Sequence, residues 1–187
     1  MPDPAALLEA AERVESACDL ELGLPAGAEA LAGATLLALD ALDPATTSPK
    51  ALWNLLWLAG DLTEHVDLYR AVSLFDAVER LFATRLAAAP ALSTPLTEAA
   101  EMAFDFFFNR EAPPLASARF DHALSGLGRV LAVENLLCRR AALHGLGHLR
   151  EHAPTTCARA AVDALLDAVT DRELRPLARL ARSGELL

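Results

Sequence analysis

Lysine is almost missing from this chain. Lys50 is the only one in 187 residues, so nearly all of the sixteen basic side chains are arginine. That bias fits the codon usage of a GC-rich genome better than a phosphate-binding surface. Aromatic residues are also scarce, at 5%, although hydrophobic residues reach 53%. Alanine and leucine therefore carry the apolar excess, which favours close-packed helices over a β-sandwich. Period-two alternation and Asn-Gly or Asp-Gly hairpin turns are missing throughout, which removes the usual signs of strands. The longest mostly apolar run, Ala51–Gly60, falls well short of the ~20 residues that span a bilayer. No charged segment followed by an apolar stretch opens the chain. Only three cysteines occur, Cys18, Cys138 and Cys157, too few and too widely spaced for a disulfide framework. These absences together predict a cytoplasmic protein with no membrane partner.

Catalytic signatures are equally scarce. There is no G-x-S-x-G, no Walker loop and no paired-carboxylate constellation. Gly126-Leu127-Gly128-Arg129 shares letters with a phosphate loop, but no strand precedes it. A conventional enzyme is not supported, and neither a catalytic residue nor a cofactor is expected.

What the chain does have is acid, unevenly spread, for a net charge of −10. Up to Ser48 there are nine acids against one base; from Lys50 to Ala132, ten against seven; beyond that, seven against eight. Such a surface repels nucleic acid at long range and attracts basic partners. The expected partner is another protein, with a basic surface, and not DNA or RNA.

Helical punctuation is clear. Asp3-Pro4, Ser48-Pro49 and Thr94-Pro95 each set a capping residue before a first-turn proline. Asp171 is a fourth cap, with Glu173 in the following turn. Pro113-Pro114 and Pro154 stop what precedes them. Between these marks, Leu7, Leu8, Ala11 and Val14 share a helical face, as do Leu52, Trp53, Leu56 and Trp57. The segment from Leu68 to Leu81 is apolar on two sides, as an inner helix would be. A loop is expected from Ala41 to Thr47. The whole reads as one all-α domain over residues 1–187, with eight or nine helices and short connections.

The densest signal is a repeat. Ala142-Leu143-His144-Gly145-Leu146-Gly147 echoes Ala123-Leu124-Ser125-Gly126-Leu127-Gly128 nineteen residues earlier. Thirty-six residues further on, Asn135, Arg139 and Ala142 align with Asp171, Arg175 and Ala178. Self-similarity at a helix-pair period points to stacked helical repeats. Glycines inside a helix cost about 1 kcal/mol each against alanine, so close packing is the expected compensation.

His144, His148 and His152 follow at successive turns of the same helix, drifting by only about 80°. Histidines one turn apart can chelate a transition metal. A zinc enzyme would add a third ligand and an activating carboxylate, as in H-E-x-x-H; here Gly-Leu-Gly separates the first two. These three histidines are the metal-ligand candidates, with interhelix hydrogen bonding as the favoured alternative. Ala103–Arg110 holds four of the seven phenylalanines. At helical spacing Phe104, Phe107 and Phe108 share a face and Phe106 points away, implying either a central buried helix or a sticky surface at Phe106. Trp53 and Trp57 pose the same choice between core and interface. The dipeptides Glu64-His65 and Glu151-His152 splay by about 100° on a helix and form no dyads.

Residues 133–187 resemble HEAT-type repeats. The resemblance is carried by Arg139-Arg140-Ala141-Ala142-Leu143 with Leu146-Gly147-His148-Leu149, and by Asp171, Leu174, Arg175 and Ala178. It implies a HEAT-like α-α superhelix, a solenoid in which aspartate and arginine form a ladder between units. That role would fall to Asp171 and Arg175, with Asn135 and Arg139 one unit earlier. The iron-ligating His-Glu pairs of HEAT-like hydroxylases do not occur, and the basic groove of HEAT-like glycosylases is at odds with the net charge.

The function expected is a protein–protein interaction module. The partner-binding candidates are Arg140, His144, His148 and Glu151 on the best-defined helix, with Phe106, Trp53 and Trp57. One alternative is an immunity-type protein that neutralises a basic toxin. Another is a metal-binding protein or enzyme using His144, His148 and His152.

Overall fold

The computed structural model describes residues 3–15, 27–88, 94–108 and 115–185. Among these residues the chain forms nine α-helices and no strand. They are α1 (Pro4–Arg13), α2 (Ala28–Ala41), α3 (Pro49–Leu62), α4 (Leu68–Arg80), α5 (Thr94–Glu101), α6 (Ser117–Leu131), α7 (Leu136–Glu151), α8 (Thr156–Asp167) and α9 (Arg175–Ser183). Cys18 and Pro113-Pro114 lie outside the described residues.

The capping chemistry sets most of the starts. Asp3 and Ser48 accept from the Ala5 and Ala51 N–H groups, each ahead of a first-turn proline. Asp67, Asn135 and Thr155 do the same for α4, α7 and α8, relieving one orphan N–H at each helix. Asp171 departs from its expected place. Its Oδ1 accepts the Glu173 N–H at 2.8 Å, inside a turn that precedes the first α-helical residue, Arg175. The last helix stops at Gly184, whose φ of 76° is left-handed backbone that glycine adopts without strain.

Two segments depart from regular α-helix. After α4 the chain widens into a π-turn over Leu81–Leu86, closed by the Ala87 N–H donating to the Phe82 carbonyl at 3.0 Å. From that turn Arg85 donates to the Leu42 and Asp40 carbonyls, tying it to the end of α2. The second is the phenylalanine-rich stretch, where a helix over Ala103–Arg110 was the expectation. The α-helix ends instead at Glu101, and a turn leads into a single 3-10 turn at Asp105–Phe107. Four rings within five residues cannot all find apolar cover on one straight helix. The tighter turn sends Phe104, Phe107 and Phe108 into the core around Phe75 and Phe106 toward Trp53.

Helix contacts follow a simple order. Helices α1, α3, α5, α7 and α9 touch in succession, and α2, α4 and α6 do likewise. Sequence neighbours such as α1 and α2, α6 and α7, or α8 and α9 also pack on each other. One cluster of buried apolar side chains runs through these contacts from Leu7 to Ala181. Within it, burial pushes the Cys138 thiol up to about 11, which keeps it protonated near neutral pH. No helix among the described residues is long and apolar enough to cross a membrane.

Candidate metal centre

A cluster of largely buried polar side chains forms where the 3-10 turn is pinched between α3 and α7. Two glycines make the pinch possible. A Cβ at Gly60 of α3 would lie 2.3 Å from the Phe106 carbonyl oxygen. A Cβ at Gly145 of α7 would lie 2.7 Å from Phe104 Cβ and 2.8 Å from Leu127 Cδ2. Both are below any real contact distance, so only glycine lets the three segments close to this spacing. The helical cost of Gly145 is thus offset by tertiary packing.

Closure brings Asp105, on the turn, against two successive turns of α7. Asp105 Oδ1 stands 3.4 Å from His144 Nδ1 and 3.2 Å from His148 Nε2. The three side chains keep only 14%, 15% and 9% of their surface exposed. One ligand atom from each lies within 4.8 Å of the other two. Burial would by itself push the Asp105 carboxyl up, but the two imidazoles beside it outweigh that and hold it below the ordinary aspartate value. The contacts are close yet poorly aligned. Asp105 Oδ1 and His144 Nδ1, both fully buried atoms, complete no hydrogen bond among the described residues. One turn earlier on the same face, Arg140 pairs with Glu101 at 2.7 Å, so α5 and the 3-10 turn hold α7 by a short polar ladder.

The histidine stripe is therefore divided. His144 and His148 share a carboxylate, whereas His152 sits buried at the end of α7, where its carbonyl accepts the Leu115 N–H at 3.1 Å. Asp105 occupies the place expected of His152. Its signal was available, as the lone acid inside Phe-Asp-Phe-Phe-Phe, but only the turn geometry aims it at α7. Of the expected partner-binding residues, His148 is 8% exposed and faces inward, while Arg140 and Glu151 are exposed. Trp53 is 39% exposed and meets Phe106 edge-on with ring centroids 5.0 Å apart; Trp57 is half-buried.

The acid–imidazole dipeptides make other contacts. Glu64 lies 3.6 Å from Arg119 and His65 3.6 Å from Asp61. A pair not foreseen is His122 Nε2 with Asp76 Oδ1 at 2.7 Å, joining α6 to α4 beside Phe75. Of the aligned repeat residues, Arg139 and Asp171 meet, Arg139 Nη1 donating to Asp171 Oδ2 at 3.0 Å, whereas the Arg175 guanidinium donates to the Thr170 carbonyl five residues before it. No protein-family model, no curated protein and no solved structure matches this chain.

Proposed function

We propose that the chain is a small α-solenoid scaffold of HEAT-like repeats whose work is to bind another protein. The observation that carries this reading is the order of contacts, with α1, α3, α5, α7 and α9 touching in one succession and α2, α4 and α6 in another. Translational stacking of helical hairpins produces that order. The Arg139–Asp171 contact joins positions one repeat apart, which fits a ladder between units. Stacked repeats of this kind mostly serve as extended binding surfaces.

The half-exposed Trp53, backed by Phe106, is the best anchor for a partner, since tryptophan is enriched among binding hot spots. Net charge favours a partner with a basic surface. Several acids near the amino terminus are already engaged: Glu29 with Arg70 and Asp40 with Arg80. Charge alone is accordingly a weaker argument for toxin neutralisation than the count of acids suggested. The test is affinity capture from an extract of the source cells with wild-type and Trp53→Ala proteins. A protein held in stoichiometric amount by the first and lost by the second supports the scaffold. Capture of nothing specific by either protein overturns it.

A further inference from the structure

We infer that Asp105, His144 and His148 form a binding site for one divalent cation of the zinc class. The inference does not depend on the scaffold reading.

Three observations converge. The first is spacing. Ligand atoms about 2.1 Å from a tetrahedral ion stand roughly 3.4 Å from one another. Asp105 Oδ1 lies 3.4 Å from His144 Nδ1 and 3.2 Å from His148 Nε2. The second is orphanhood. Two atoms of the cluster are buried without completing a hydrogen bond among the described residues, a condition that leaves the desolvation of each group uncompensated. An ion between them satisfies both at once. The third is construction. Gly60 and Gly145 bring the 3-10 turn onto α7 at distances that no other residue allows, and Arg140 is neutralised by Glu101 instead of standing as a free cation over the site.

The donor set identifies the ligand class. Two imidazole nitrogens and one carboxylate oxygen suit zinc, iron(II), cobalt(II) or nickel(II); calcium and magnesium ask for oxygen alone. With both imidazoles neutral the site carries one negative charge, which partly offsets the doubly charged ion. Three protein ligands are one fewer than a closed structural zinc site uses. The remaining position is available to water or to a donor atom from a bound molecule. Because Asp105 comes from the 3-10 turn and the histidines from α7, the ion also cross-links two elements and stabilises the folded chain by mass action.

The experiment uses the full, untagged chain, stripped of metal by a chelator and titrated calorimetrically with Zn²⁺ alone. One equivalent binds with micromolar or tighter affinity, and the melting temperature rises. Asp105→Asn and His148→Gln each weaken binding by at least about 100-fold, since even groups that merely orient a ligand cost 10–100-fold. His65→Ala and Cys157→Ser, both at exposed positions, bind as wild type. Cobalt(II) substituted for zinc gives the strong visible absorption of a four- or five-coordinate ion. Helical circular dichroism checks that each variant is folded; His144→Gln, at a less buried position, replaces any that is not. A wild-type protein that takes up no zinc at micromolar concentration overturns the inference. So does undiminished binding by folded Asp105→Asn, or loss of binding in Cys157→Ser.

Discussion

At the scale of single residues, glycines decide where helices approach. Gly126 and Gly128 stand two residues apart in one copy of the repeated string, yet their surroundings are opposite. A Cβ at Gly126 would lie 2.6 Å from Phe75 Cε1 and 3.0 Å from Glu79 Oε2. Phase is the reason, since two residues turn a helix by about 200°. At Gly128 the nearest atom would be Leu165 Cδ1, at an ordinary 3.8 Å. Phe75 is itself confined by Phe104, Phe107, Phe108 and His122, so it cannot yield cheaply. Gly126→Ala is therefore expected to destabilise the chain by about 1–3 kcal/mol through overpacking. Gly128→Ala is expected to stabilise it by up to about 1 kcal/mol through helix propensity. Denaturant melts of the two variants read both signs directly, and equal shifts would refute the packing assignment.

At the scale of elements, the 3-10 turn is the part on which most depends. It presents Phe106 to α3 and Asp105 to α7 from adjacent residues, and it does so because the chain leaves α-helical geometry after Glu101. Gly60 faces the backbone of that turn, with the Phe106 carbonyl carbon 2.5 Å from where a Cβ would be. Backbone cannot rotate aside as a side chain can. Gly60→Ala should lower stability by about 2 kcal/mol or more and displace the turn from α7. Its signature is a drop in melting temperature accompanied by a change in near-ultraviolet dichroism from Trp53, which rests on Phe106. A variant with wild-type stability and spectrum would show that the turn does not pack against α3 this closely.

At the scale of the whole molecule, the succession of contacts governs how stability is distributed. Helix α7 packs against α5, α6, α8 and α9 as well as the 3-10 turn, and every residue from Leu143 to Leu149 except His144 is buried. Helix α1 packs mainly against α2 and α3. In a stack, each unit leans only on its neighbours, so openings begin at the ends and protection peaks inside. Native-state hydrogen exchange should be slowest in α7 and fastest in α1 and α9. Uniform exchange at the global unfolding rate in all helices would indicate an all-or-none bundle and speak against the stacked reading.

Much of the secondary structure follows from local chemistry that the sequence spells out. Asp3 and Ser48 cap the helices they precede, because a capping bond needs only neighbours two or three residues away. The all-α class follows from helical periodicity and from strand signals that are missing. The pairing of α6 with α7 was legible in part, since the repeated glycine string occupies both. Asp105 was not legible as a partner of His144 and His148. It is some forty residues distant in the chain, and its aim is set by a 3-10 turn that exists because four crowded rings had to find cover on two sides. Likewise the stripe of three histidines looked continuous by spacing alone. Spacing along a helix fixes only direction; which neighbour waits in that direction, and so whether a histidine binds, pairs or is buried, is decided by how the other helices pack.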